Sequence, residues 1–306
     1  MKRLKTVFTH RRLLWLSLWL NGQAYGVIIN DERADLFRPF CENMAGGVIM
    51  NYDHNRIKAN ARLFYKNNAG NSIVSQLIYF GIVFGVIMVV YVILLVTVGA
   101  AAFGIAIAGG SESEGAVAGA TIGTFISMTI FFLLYTAIII ALNPLVMGLM
   151  DWYRKSIYAK VSLGEIFAPY KKEHVMGNIG MMLLVQLYTF LWSLLFVVPG
   201  IIKAYSYCQA TFIKAENPHI SASRAIELSK IMMDGHKADL FYLHLSFFGW
   251  MFLSGLTYNI LGIVYVYPYY FSALSFAYLE VKSDAIARGI ICASEFNSVQ
   301  EKYIVE

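Results

Sequence analysis

Apolar residues in this chain gather in runs far longer than a soluble core helix needs, and short polar segments separate them. The runs lie at about 73–108, 115–150 and 175–281. A hydrocarbon core about 30 Å thick takes about 20 residues of helix, so these stretches can supply several membrane spans. The pattern predicts an all-α, polytopic membrane bundle of about six transmembrane helices with additional cytoplasmic interfacial helices.

Residues 50–72 read as an amphipathic helix on the cytoplasmic surface, with Ile57, Ala61, Phe64 and Tyr65 at helical spacing and basic residues between them. The first span begins near Ile73 and ends in the small-residue stretch Gly99 to Gly110. Ser111 to Glu114 carries no Lys or Arg and is expected outside. A second span runs from about Gly115, with Pro144 near its inner end, into a basic internal segment holding Arg154, Lys155, Lys160, Lys171 and Lys172. That segment is expected to carry one or two interfacial helices, with Trp152 and Tyr153 at headgroup level. The third span, about Gly180 to Val198, returns outside.

Pro199 to Glu216 is only moderately apolar, and charge decides its reading. With a span here Lys203 alone is external; without one, Lys203, Lys214, Arg224, Lys230 and Lys237 all are. Proline in a first helical turn is tolerated because its missing N–H has no partner there. A fourth span follows, buried among the others so that Ser206, Gln209 and Thr211 face protein. Asn217-Pro218 breaks the chain, and Ser221 caps a surface helix whose Ile226, Ile231 and Met232 are expected to rest on the bilayer. The fifth and sixth spans are about Leu240–Tyr258 and Leu261–Leu279, joined by an uncharged turn at Asn259. The domain boundaries are thus 50–72 for the amphipathic helix, 73–281 for the membrane domain and 282–306 for a cytoplasmic tail. Of the 17 basic residues after Met50, all but Lys203 fall on one side, placing both termini in the cytoplasm by the positive-inside rule.

Composition agrees with this picture. The chain has 306 residues, 58% hydrophobic and 14% charged, and a mean hydropathy of +0.59. The net charge of +5 is dispersed around apolar runs rather than concentrated on one face, which argues against nucleic acid as a partner. Cys41, Cys208 and Cys292 have neither disulfide-framework nor zinc spacing. Residues 1–49 resemble a signal sequence, but cleavage after Ala24 would strand Arg56, Lys58, Arg62 and Lys66 outside. They read as a non-native or disordered leader, with Met50 as the expected start.

PGIIKAYSY (Pro199 to Tyr207), ENP (Glu216 to Pro218), AIELSKIMMDGHKADLF (Ala225 to Phe241), LSFFGW (Leu245 to Trp250) and PYY (Pro268 to Tyr270) together resemble the bacterial integral membrane family called domain of unknown function 975. The resemblance spans roughly Met50 to Val281, and its basic opening helix is matched by NRIKANARLFY (Asn55 to Tyr65). It implies a Gram-positive plasma membrane and no established activity. The family is also distantly similar to the membrane regions of some glycerophosphodiester phosphodiesterases.

Lys203, with Ser206, Tyr207 and Gln209 after it, is a candidate ligand or lipid contact, because an ionisable residue inside an apolar helix is a functional signal; its bland reading is snorkelling to the interface. Trp250 is a further candidate contact, expected to pack on a neighbouring helix. Gly81 and Gly85, with Gly115, Gly119 and Gly123, form small-xxx-small series for helix packing or an oligomer interface. The tyrosines at 265, 267, 269 and 270 are expected near the outer interface. His236 and His244 stand too far apart to share a metal on one helical turn. No catalytic motif is present, and the acidic residues read as isolated at membrane edges. The expected role is therefore non-enzymatic and cofactor-free: binding or moving a small amphipathic or lipid-like ligand, with membrane lipids and a membrane-protein partner or a second copy as partners. The alternative is a structural or stress-protective scaffold.

Overall fold

The computed structural model describes residues 52–109, 114–291 and 296, and among these it is helical with no strand. The 1–49 leader, the turn at 110–113 and all of the tail beyond 291 except Phe296 lie outside the described residues. The helices are α1 (His54–Gly109), α2 (Glu114–Ser156), a 3-10 helix (Leu163–Tyr170), α3 (Val175–Leu195), α4 (Val197–Tyr207), α5 (Ala210–Glu216), α6 (Ala222–Met232) and α7 (Lys237–Leu256). A π turn (Gly262–Val266) then leads into α8 (Tyr267–Ala287). Among the described residues, three helical stretches are long and apolar enough to cross a membrane: His54–Ala100, Thr121–Ser156 and Val175–Leu195.

α1 is two helices joined at Asn68, whose φ of −124° and ψ of 20° leave the helical region. The Asn68 side chain donates to the Phe64 carbonyl at 3.1 Å, replacing part of the bonding that the kink disrupts. The first piece carries its apolar face as the spacing predicts, but that face covers protein rather than a bilayer surface. Ile57, Ala61 and Phe64 are fully buried, and the segment runs antiparallel to α8. Arg56 meets Glu280 at 3.0 Å, Arg62 Nε donates to Tyr269 Oη at 3.1 Å, and Tyr65 Oη donates to the Val264 carbonyl at 2.7 Å. The last two contacts set Tyr265 and Tyr269, expected near the outer interface, beside a segment expected inside.

α2 continues through Pro144 to Ser156 without an interfacial break. Proline cannot donate to the turn before it, and Tyr170 Oη donates to the nearby Ala141 carbonyl at 2.8 Å. One turn later the 3-10 helix crosses so closely that a Cβ at Gly148 would collide with the Ile166 carbonyl. Trp152 and Tyr153 are buried in the protein core. The Tyr153 hydroxyl accepts from Gln76 Nε2 at 3.0 Å and pairs with Ser75 at 3.2 Å.

α3 and α4 form a hairpin turned at the extended residue Phe196, φ −159° and ψ 150°. Pro199 sits in the first turn of α4, as its chemistry requires. The expected fourth span is helical but broken at Cys208-Gln209. The Ser229 hydroxyl of α6 seals the break: it donates to the Ser206 carbonyl at 2.9 Å and accepts from the Gln209 amide at 3.2 Å. Ser221 caps α6 by accepting from the Arg224 amide at 3.3 Å. That helix is not laid on a bilayer by its apolar side, because Ile226 and Met232 are buried in the chain's own core while Ile231 is partly buried against it. The Asn259 turn forms where expected, with Tyr258 and Asn259 in the left-handed region at φ 51° and 64°.

Candidate functional site

α8 is the axis of the polar half of the molecule. Its residues from Phe276 to Ala285 are all buried, and they include charges that a helix interior tolerates only when they are paired. Two i,i+4 pairs project to opposite sides, as helical geometry dictates. Tyr278 and Lys282 point at Glu216: the tyrosine donates to Glu216 Oε2 at 2.6 Å, and Lys282 Nζ pairs with Oε1. Arg154 stands 3.9 Å from the same Oε1 and is held on Asp151 through Nε at 3.0 Å. Lys155 extends the chain of charges, 3.0 Å from Asp151 and 3.0 Å from Glu165. Burial lowers the Lys282 pKa, and the Glu216 carboxylate opposes that shift.

On the other side of α8, Glu280 takes Arg56, and burial raises the Glu280 pKa against the pull of that guanidinium. Asp284 takes His236 Nε2 at 2.8 Å and Arg288 at 2.6 Å. The acidic residues are therefore not isolated at edges: three of them organise the core from α5 and α8. Arg154, Lys214 and Lys282, read as markers of a cytoplasmic loop or tail, are buried. Lys214 donates to the carbonyls of Pro218 at 2.8 Å and Ile220 at 2.6 Å, fastening the turn after α5.

The sequence-predicted contacts separate. Lys203 lies over the Trp192 ring, 4.6 Å from its centroid, a cation–π arrangement on the α3–α4 hairpin. Tyr207 faces Tyr188 of the same hairpin, with centroids 6.2 Å apart. Ser206 and Gln209 meet at Ser229 and belong to the seal of the helix break. Trp250 is on α7, edge-on to Tyr265 at 5.7 Å and 43% exposed. A Cβ built at Gly81, Gly85, Gly115, Gly119 or Gly123 would meet open space. The close approaches within the described residues occur instead at Gly148, at Gly200 against Ser193, and at Gly262 against Ser254 and Tyr267. Among the described residues no group of three or more His, Cys, Asp and Glu is placed to hold a metal.

Trp250 is one end of a feature that sequence reasoning missed. A row of rings runs Trp250, Tyr265, Tyr269, Phe247, with neighbouring centroids 5.7, 5.7 and 4.8 Å apart. Tyr65 stands edge-on to Tyr265 at 5.3 Å. Two cations one turn apart on α1 lie over this row: Lys58 Nζ is 5.9 Å from the Phe247 centroid, and Arg62 is 5.7 Å from that of Tyr269. Among the described residues neither has a carboxylate partner, unlike Arg56, Arg154, Lys155, Lys282 and Arg288. The i,i+4 spacing of Lys58 and Arg62 was readable as a shared face; the aromatic row beneath it, some 200 residues away in sequence, was not.

No curated protein and no solved structure matches the chain, so the likeness to phosphodiesterase membrane regions stays an expectation of the motifs. The opening helix NRIKANARLFY falls outside the residues matched by the family, while the five motifs from PGIIKAYSY to PYY fall within them. Over residues 195–285 the chain matches the family described as protein of unknown function (DUF975), the family that those motifs resemble.

Proposed function

We propose that this chain is an integral protein of a bacterial plasma membrane that binds an anionic amphiphile drawn from the bilayer, with the anion on Lys58 and Arg62 and the apolar part along Trp250 and the outer face of α7. In this reading the second piece of α1, α2 and α3 are embedded, being long and apolar enough to cross a membrane, and the cationic first piece of α1 lies at the membrane edge with the part of α8 on which it packs. The observation that carries the proposal is the pair of cations without carboxylates, held one turn apart over aromatic rings. Arg56, Arg154, Lys155, Lys282 and Arg288 are paired with carboxylates of the chain itself, whereas Lys58 and Arg62 meet rings and one tyrosine hydroxyl. The ring row continues into exposed apolar residues of α7, with Leu253 43% and Leu256 65% exposed, which suits an acyl chain.

Native mass spectrometry of the detergent-purified protein tests this. The wild-type chain is expected to carry a bound anionic lipid and the K58E/R62E variant to lose it, while K203E retains it. Loss in K203E with retention in K58E/R62E would move the site to Lys203; no bound lipid in any of the three would end the proposal. A second reading, a scaffold that meets another membrane helix, is favoured by the open glycine faces of α1 and α2. Crosslinking between cysteines placed at 81 and 119 would reveal such a contact.

A further inference from the structure

We infer that His236 is a proton-operated clamp between the start of α7 and the end of α8: its imidazolium holds the two elements together, and loss of one ring proton loosens the start of α7. Gly235, in the left-handed region at φ 89°, turns the chain after α6 so that His236 becomes the N-terminal cap residue of α7. Its carbonyl accepts from the Leu240 amide at 3.1 Å, and its ring stands between two carboxylates. Nδ1 is 3.3 Å from Asp239, one turn along α7, and Nε2 is 2.8 Å from Asp284 of α8. A carboxylate oxygen accepts from a ring N–H and repels a bare ring lone pair, and a neutral imidazole has only one N–H. The doubly protonated ring therefore satisfies both contacts together, and the neutral ring satisfies one.

The charges around the ring set the direction of the response. From α8, Arg288 lies on Asp284 at 2.6 Å and 3.5 Å from His236 Nε2, while Glu280, one turn earlier, takes Arg56. On the approach to α7, Lys237 faces Asp234 at 3.9 Å. From the segment before α1, the Tyr52 ring is 5.9 Å from that of His236, and His54 is edge-on to Tyr52 at 5.0 Å. Burial, with the charges of Glu280 and Asp239, pushes the Tyr52 phenol up, so it stays neutral where histidines change charge. When His236 loses a proton, Asp284 keeps Arg288, and Asp239, its side chain 36% exposed, can turn to water. What is lost is the charge assistance of a bond that crosses from α7 to α8. Protection at the start of α7 is thus present while the ring is doubly protonated and falls as pH rises through its titration.

Amide exchange of the full chain in detergent tests this, followed over residues 236–243 between about pH 5 and 8.5 and corrected for the intrinsic rate at each pH. Exchange there should quicken at least about fivefold across that range, the factor that separates a charge-assisted hydrogen bond from a neutral one. H236Q can still donate to Asp284 but has no proton to lose, so its exchange should not depend on pH. H54Q should keep the wild-type response. D239N removes one carboxylate that favours the charged ring, so the midpoint of the response should fall by a few tenths of a pH unit. A wild-type chain whose exchange ignores pH would overturn the clamp, as would a response that survives in H236Q. A response lost in H54Q would overturn it too, because the titrating group would then be the histidine beside Tyr52. Where circular dichroism shows H236Q misfolded, D239N decides: a lowered midpoint supports the clamp, and an unmoved one overturns it.

Discussion

The outer part of the α1–α2 hairpin and the second half of α8 are both regular helix, yet they are stabilised in opposite ways. On the hairpin Phe84, Val96, Phe103, Phe125 and Phe132 are all exposed, and the polar bonds described there are local: Thr129 to the Phe125 carbonyl at 2.8 Å, Thr136 to that of Phe132 at 2.8 Å. On α8 the charged side chains are buried, and their bonds reach other elements. Apolar side chains facing outward need a nonaqueous surrounding, and lipid supplies one without any partner residue. Buried charges need particular partners, so that region is specified pair by pair.

The comparison makes graded predictions, each readable as thermal unfolding of purified protein in detergent. Glu216→Ala leaves Lys282 and Arg154 short of their shared carboxylate and should cost about 3–5 kcal/mol, as expected for one partner removed from a buried pair. An effect no larger than a hairpin substitution would break the contrast. Gly148→Ala drives a Cβ into the backbone of the 3-10 helix and should cost about 1–3 kcal/mol by overpacking. Ser229→Ala leaves the Ser206 carbonyl and the Gln209 amide unpaired, at about 1–3 kcal/mol, and amide exchange should quicken at 206–210. Phe132→Leu, on the exposed hairpin face, should stay within about 0.5 kcal/mol of wild type. A larger loss there would mean that the face is covered by protein.

What could be read from sequence follows the same division. Helices, their stops and their caps are local chemistry, and the break at Asn217-Pro218, the Ser221 cap, the first-turn Pro199 and the Asn259 turn all stand where the residues placed them. Partners are not local. Nothing around Arg154 announces Glu216, and nothing around Glu216 announces Lys282, because 62 and 66 residues separate them. Charge bookkeeping treated Arg154, Lys214 and Lys282 as solvated markers of topology, and a count by sign cannot distinguish a solvated lysine from one buried on a carboxylate. The amphipathic face Ile57, Ala61, Phe64 was likewise correct in spacing and incomplete in meaning. Periodicity shows that a face is to be covered, while the cover, α8, lies at the other end of the chain. Lys58 and Arg62 were visible as neighbours on that helix, but the rings beneath them come from α7 and α8.

The Ser229 hydroxyl also limits what the chain can become. It gives its one proton to one carbonyl and receives an amide proton on its oxygen, so both directions of its hydrogen-bonding capacity are in use. Among the common side chains short enough to reach the break, only threonine offers the same two roles from the same atom. Natural relatives should therefore vary freely along the exposed face of the hairpin, yet hold position 229 to serine or threonine. A relative with another residue there should show a continuous helix through 208–209 instead of a broken one.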